Sequence, residues 1–334
     1  MDRLRSEAVA ARKLPLLAVD ASLQEEAQSF MASSGEPLLD ERLRLVLLCA
    51  HPVLAPESAA ALTLRLVLGV ATEDVARLFL VPTPTMAARL TRARKKLAGA
   101  SFEVPADLSS RVAVVADVAY LAFTAGYAPG SGPDVVRTEV AGEAIRLARV
   151  LRAVVPTTDV ELDALLALML LQHSRRDARV VDGRLVLLPD QDRSRWRVDE
   201  ISEALSLLRP WTGAPPSPYL LQALIAAEHA IAPSSEATAW DRIALRYEEL
   251  ESLTGSPVVR LNRAVAVAEA SGPAAGLALL DGLVLPGHRL PATRAELLAR
   301  CGRLDDARTS YDEAIGRCAN LAERAHLVER RASL

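Results

Sequence analysis

Residues 84–98 hold Arg89, Arg92, Arg94, Lys95 and Lys96 and not one acid, in a chain whose 39 Lys plus Arg are outnumbered by 42 Asp plus Glu. A guanidinium can bridge the O6 and N7 acceptors of guanine, and an ammonium serves as a point charge on phosphate. Threaded onto a helix, Met86, Leu90, Ala93 and Leu97 recur at i, i+4, i+7 and i+11 as an apolar stripe. Thr85, Arg89, Arg92 and Lys96 share a different face. Such a helix buries one side and offers the other to a polyanion. The same run could be the solvated face of an ordinary amphipathic helix; the ordered stripe, the missing acids and the segment before it favour DNA.

That preceding segment must position the basic helix. Thr72 suits an N-cap, and Glu73 and Asp74 follow it where a helix dipole favours acids. Val75, Ala76, Phe79 and Leu80 supply its apolar side. Pro82 stops this helix, Thr83 can cap the next, and Pro84 suits a first helical position. Two short amphipathic helices across a tight break predict a helix-turn-helix, with residues 84–98 as the recognition helix.

Other chemistries find little support in the residue pattern. Asp190 and Asp192, beside Arg193 and Trp196, resemble a carboxylate pair, but acids so spaced in a loop more commonly cap helices or pair with arginines. A structural clasp is the expectation, with a ligand or partner contact as the alternative. His51, His173, His229, His288 and His326 have no metal-ligand spacing, and no glycine-rich phosphate loop, nucleophile elbow or His-Glu-x-x-His motif occurs. No catalytic residue, cofactor or metal is expected, and the chain does not read as an enzyme. Cys49, Cys301 and Cys318 are scattered and read as buried thiols of a reducing cytoplasm.

Composition sets the fold class. The chain is 51% hydrophobic but 4% aromatic, with a net charge of −3 over 334 residues. Small and branched aliphatic side chains favour an all-α protein, and any nucleic-acid binding must come from a local patch. The longest apolar run, residues 162–171, is broken by Asp163 and too short to span a bilayer, so no membrane contact and a cytoplasmic location are expected.

Along the chain, residues 1–13 read as the end of a charged helix and 14–38 as a linker. Residues 39–100 form a compact helical unit: Asp40 caps one helix, Pro56 opens a second through Leu68, Gly69 closes it, and the helix-turn-helix follows. Residues 101–334 are a series of helices between Pro/Gly breaks, including 209–218 and 286–291, with one small β-hairpin turning at Asp182-Gly183. From about residue 257 a repeat emerges. Gly302, Ala307, Tyr311 and Ala314 follow a tetratricopeptide helix pair, and Ala275, Leu279 and Gly282 echo part of it; generic α-hairpin packing is the alternative.

Thr85, Arg89, Leu90, Arg92, Ala93, Arg94 and Leu97 resemble the recognition helix of region four in extracytoplasmic-function (ECF) sigma factors of RNA polymerase, with Ala88 in place of the usual serine. Glu73-Asp74-Val75-Ala76 resembles the start of the same motif. Residues 43–52, 61–66, 125–127, 143–147, 165–171, 190–196 and 261–266 are similar to an ECF subgroup with a long, helical, tetratricopeptide-like C-terminal extension. The resemblance implies recognition of the promoter −35 element, docking on the β flap of core RNA polymerase, and a protein or peptide partner for the extension. Arg89 and Arg92 are then the candidates for base edges, and Thr85, Arg94, Lys95 and Lys96 for phosphates; the docking angle decides which set faces the bases. Of region two, which reads the −10 element, only a tail in residues 1–13 is expected here, so the chain is truncated, its start misassigned, or it is a natural fragment. The competing reading is a helical scaffold whose helix-turn-helix no longer binds DNA.

Overall fold

The computed structural model describes residue 51 and residues 53–79, 81–98, 109–127, 138–155, 159–181 and 184–334. The expected region-two tail, the linker, the helix after Asp40, Cys49 and the hairpin turn at 182–183 lie outside these residues. Among the described residues there are fifteen α-helices and one two-stranded ribbon, so the fold is all-α. The chain divides into two compact units, residues 1–126 with 138–157 and residues 127–137 with 158–334.

The first unit contains α1 (Pro56–Leu66), α2 (Thr72–Leu78), α3 (Thr83–Ala98), α4 (Ser109–Tyr127, its last residue belonging to the second unit) and α5 (Thr138–Val154). Helices α1, α2 and α3 pack against one another. Three boundaries differ from expectation. Helix α1 ends at Leu66, and Gly69, at φ 65°, makes the turn beyond it in a conformation an L side chain rarely adopts. Thr72 is not the cap of α2: Ala71 holds that position without a side-chain bond, and Thr72 is buried within the first turn. Helix α3 begins at Thr83, one residue before the expected start, and the Met86 amide donates to the Pro82 carbonyl at 3.1 Å.

The second unit starts with α6 (Val160–His173). The Asp159 carboxylate caps it by accepting from the Glu161 and Leu162 amides at 2.8 and 3.1 Å. Ten successive residues, 162–171, are buried because α6 is enclosed by α8 (Val198–Leu208) and α9 (Pro218–Ile231). Asp163 survives inside this run because the Trp211 indole donates to it at 3.0 Å. Between α6 and α8 lie the short α7 (Arg176–Arg179), the ribbon β1 (Val180–Val181) and β2 (Arg184–Leu185), and two 3-10 turns. The ribbon is antiparallel, Val180 opposite Leu185.

From α9 onward helices follow in chain order, each packed on its predecessor: α10 (Trp240–Thr254), α11 (Pro257–Ser271), α12 (Pro273–Leu279), α13 (Arg289–Arg300), α14 (Leu304–Arg317) and α15 (Leu321–Ala332). Pro291 is not a break; it sits buried in the first turn of α13, where its missing N–H costs nothing. Small residues set the spacing. A Cβ added at Gly276 on α12 would collide with the Ala264 carbonyl oxygen and lie 2.6 Å from the Ala268 Cβ. Ala307, Tyr311 and Ala314 form the buried stripe of α14, and the Tyr311 hydroxyl donates to Glu296 of α13 at 2.9 Å.

The segment around Asp190 and Asp192 is a clasp. Asp192 is spent on its own turn, accepting from the Ser194 amide at 3.0 Å and hydroxyl at 2.6 Å, which holds its carboxyl below the usual range. Arg193 reaches across 36 residues to donate to the carbonyl of His229 at 2.7 Å, and to that of Ala232 at 2.9 Å, closing the C-terminal end of α9. Its guanidinium stands 4.5 Å from the ring centre of Trp196, which is buried. Burial, with Arg175 and Arg193 nearby, lowers the pKa of His229 to about 4. Its ring meets Trp240 edge-on at 5.2 Å.

Two outcomes follow from this packing. Gly276→Ala should destabilise the protein by about 1–3 kcal/mol, read as a lowered thermal midpoint, because the opposing atom is backbone and cannot swing aside. For His229 the unfolded chain binds more protons between pH 6.5 and about 4, so its contribution is complete above pH 6.5 and is lost on acidification. His229→Phe should therefore flatten the dependence of the urea midpoint on pH across that window, where the native residue forfeits about 3 kcal/mol.

Candidate nucleic-acid interface

Helix α3 is positioned by what it buries. Met86 and Leu90 are wholly buried, and Ala87 and Ala93 nearly so. Helix α3 packs against α1 and α2, in which Ala61, Leu62, Leu64, Val75 and Ala76 are buried as well. Burying a side chain such as Leu90 stabilises by about 1.5–3 kcal/mol. Of the expected stripe only Leu97, one residue from the helix end, remains half-buried. With that side committed to the core, the rotation of α3 about its axis is set, and so is the face it turns to water.

The six candidate residues are not equivalent. Thr85, Arg92, Lys95 and Lys96 are exposed, and Arg89 and Arg94 are half-buried. Thr85, Arg89, Arg92, Lys95 and Lys96 fall on successive turns of one side of the helix. The Arg89 guanidinium stands 5.9 Å from the ring centre of Phe79, at the C-terminal end of α2, which anchors its stem at the rim of this face. Arg92, an exposed side chain, donates through Nε to the Ala88 carbonyl one turn earlier at 3.2 Å, a bond that does not use its Nη groups. Thr91 bonds back to Ala87 at 3.0 Å. Helix α3 contains no acid, and the Asp74 carboxylate on α2 is occupied by Arg77. The side of α3 turned to water, with Arg92, Lys95 and Lys96 exposed and no acid of its own, is positively charged, as contact with phosphates requires.

One convergence lay beyond sequence reasoning. His288 before α13, buried Cys318 after α14 and Glu323 on α15 place their ligand-type atoms within 4.8 Å of one another, although the histidine stands thirty residues from the cysteine. His288 Nε2 lies 3.2 Å from the Glu323 carboxylate, and the Cys318 thiol donates to the Asn320 carbonyl at 3.4 Å. Arg179 and Arg289 act on Glu323 and Arg324 on Cys318, a positive surrounding that opposes a cation and suits a hydrogen-bonded clasp at three helix ends. Cys318 is buried as expected, whereas Cys301 ends α13 at the surface and is half-buried. No described helix is long and apolar enough to cross a membrane.

Residues 44–97 match Sigma-70, region 4, a span that contains α1, α2 and all of α3 but its last residue. Residues 111–211 match a family of unknown function (DUF6596). Over 305 residues the chain is 43% identical to an uncharacterized protein of Rhizobium meliloti (strain 1021), covering 88% of this chain and 71% of that protein. No solved structure matches. The match to region 4 assigns residues 44–97 to a class of DNA-binding modules that act with RNA polymerase, and it points to transcription rather than to an enzyme.

Proposed function

We propose, from the premise that this chain belongs to the same family as the Rhizobium meliloti protein, that it is an ECF-type sigma factor whose region four reads the −35 element and whose helical extension regulates it. The observation that carries this reading is the acid-free basic face of α3, turned outward by the burial of Met86, Leu90 and Ala93 within a region-4 match. In the reading, α3 enters the major groove. Arg92, exposed and with its Nη groups free of the helix, takes a base edge, and Arg89 takes another from its perch on Phe79. Thr85, Arg94, Lys95 and Lys96 hold phosphates and fix the register.

The opposite side of the module would dock on the β flap of core polymerase, in the cytoplasm. The extension, a succession of paired helices with tetratricopeptide-like small-residue seams, offers the regulatory surface. It stands in for a separate regulator or adds a polymerase contact.

A mobility-shift titration of the full chain on −35 DNA, at several salt concentrations, tests the reading. Arg89→Ala and Arg92→Ala should each reduce discrimination between promoter and unrelated DNA by about 1–3 kcal/mol. Lys95→Ala and Lys96→Ala should weaken all sequences alike and make the salt dependence shallower. Absence of any shift at low salt would favour the helical scaffold with an inactive helix-turn-helix.

A further inference from the structure

The second unit carries a groove of about 780 Å³, a volume in the range of small-molecule sites. It is walled by the Arg193 turn, by α9 and the start of α10, and by α11 and α13. On α11 and α13 the charges of the wall are matched: Glu269 pairs with Arg300, and Glu296 with Arg330 at 2.7 Å. At Arg193 they are not. Its bonds to the carbonyls of His229 and Ala232 are both made by Nη1. The other edge of the guanidinium, Nε with Nη2, makes no hydrogen bond among the described residues. That edge is the two-pronged fork that grips a carboxylate or a phosphate through parallel bonds. The two carbonyls and the Trp196 ring 4.5 Å away hold its plane, so the fork is set before a ligand arrives.

The surroundings of the fork favour an anion. Arg175 stands 6.0 Å from the ring centre of the same Trp196, and its Nη2 donates to an uncharged group, the Tyr127 hydroxyl, at 2.8 Å. Burial and the charge of Arg175 push the Arg193 pKa below its usual value, and the exposed Glu236 offsets this only in part. At His229 burial and the same two arginines all act in one direction. Trp196 is 5% exposed, and its indole N–H has no acceptor. Donors and positive charge thus gather in a largely buried corner without a matching acceptor, which is costly unless an anion supplies one. The groove is also lined by the half-buried Trp240, by Val265 and by the exposed Asn262 amide. These suit the apolar body of a small molecule, with one amide to orient it.

We propose that the groove binds a small organic oxyanion, a carboxylate or a phosphate monoester, gripped by the Nε and Nη2 edge of Arg193 with its apolar body against Trp240 and Val265. The site lies wholly in the second unit and stands apart from the sigma-factor reading.

Calorimetric titration of the full chain at fixed ionic strength, with phenyl phosphate and with benzoate, tests the site. At least one probe should bind with a single site per chain, and the tighter of the two identifies the oxyanion as phosphate or carboxylate. Arg193→Lys keeps the charge but loses the fork, and should bind about tenfold more weakly. Arg195→Lys, exposed on the same turn and outside the groove, should bind as the native chain does. In the native chain, proton NMR should show the His229 titration moving up from about 4 when the probe saturates, because an anion offsets Arg175 and Arg193. A native chain that binds neither probe, equal binding by Arg193→Lys, or an unmoved His229 titration would overturn the inference.

Discussion

Where two helices of this chain meet along a seam of small residues, their backbones come close enough to fix how each is turned. Ala264 and Ala268 on α11 meet Gly276 on α12 so closely that a single methyl group would not fit. Aromatic residues make up only 4% of the chain, and at the seam of α11 and α12 the two backbones come near enough to lock that rotation. The same constraint governs α3, where Ala87 and Ala93 flank Met86 and Leu90 in the buried side. Everything functional follows from what that locking leaves outside.

Arginine shows the consequence. The second unit uses it as an internal fastener: Arg176 holds Glu200 at 2.8 Å, Arg242 and Arg246 share the buried Glu228, and Arg193 closes α9 through two carbonyls. Each finds an acceptor in reach because helices from distant parts of the chain bring one there. On α3 no acid is present, and on α2 Asp74 pairs with Arg77 of its own helix. One residue type therefore acts as a fastener in one unit and as an outward-facing positive charge in the other. The difference lies in the neighbours, not in the arginines.

Several features were legible from local pattern alone. The break at Pro82, the acid-free stretch that follows and the period of Met86, Leu90 and Ala93 each depend on residues within a few turns, and the helix they predict is there. Exact starts and caps were less legible. Thr72 has the side chain of a cap but lies inside the helix, because the position is decided by where the chain turns at Ala71. Pro291 has the look of a break but opens a helix, since proline suits a first turn as well as an interruption. The 178–188 segment read as a hairpin because alternation and a turn pair are also local signals.

Sequence by itself determined that the protein is helical, which helix carries a run of cations without an acid, and which side of that helix must be buried, because periodicity and charge are written in neighbouring residues. Tertiary structure alone decided that Arg193 ends on the carbonyls of α9, that Asp163 is satisfied by Trp211, that His288, Cys318 and Glu323 share one corner, and that residues 193 and 262 line one groove. These pairs are separated by tens of residues. Their meeting depends on how successive helices stack, and that stacking is set by seam contacts summed over the whole unit rather than by any local pattern.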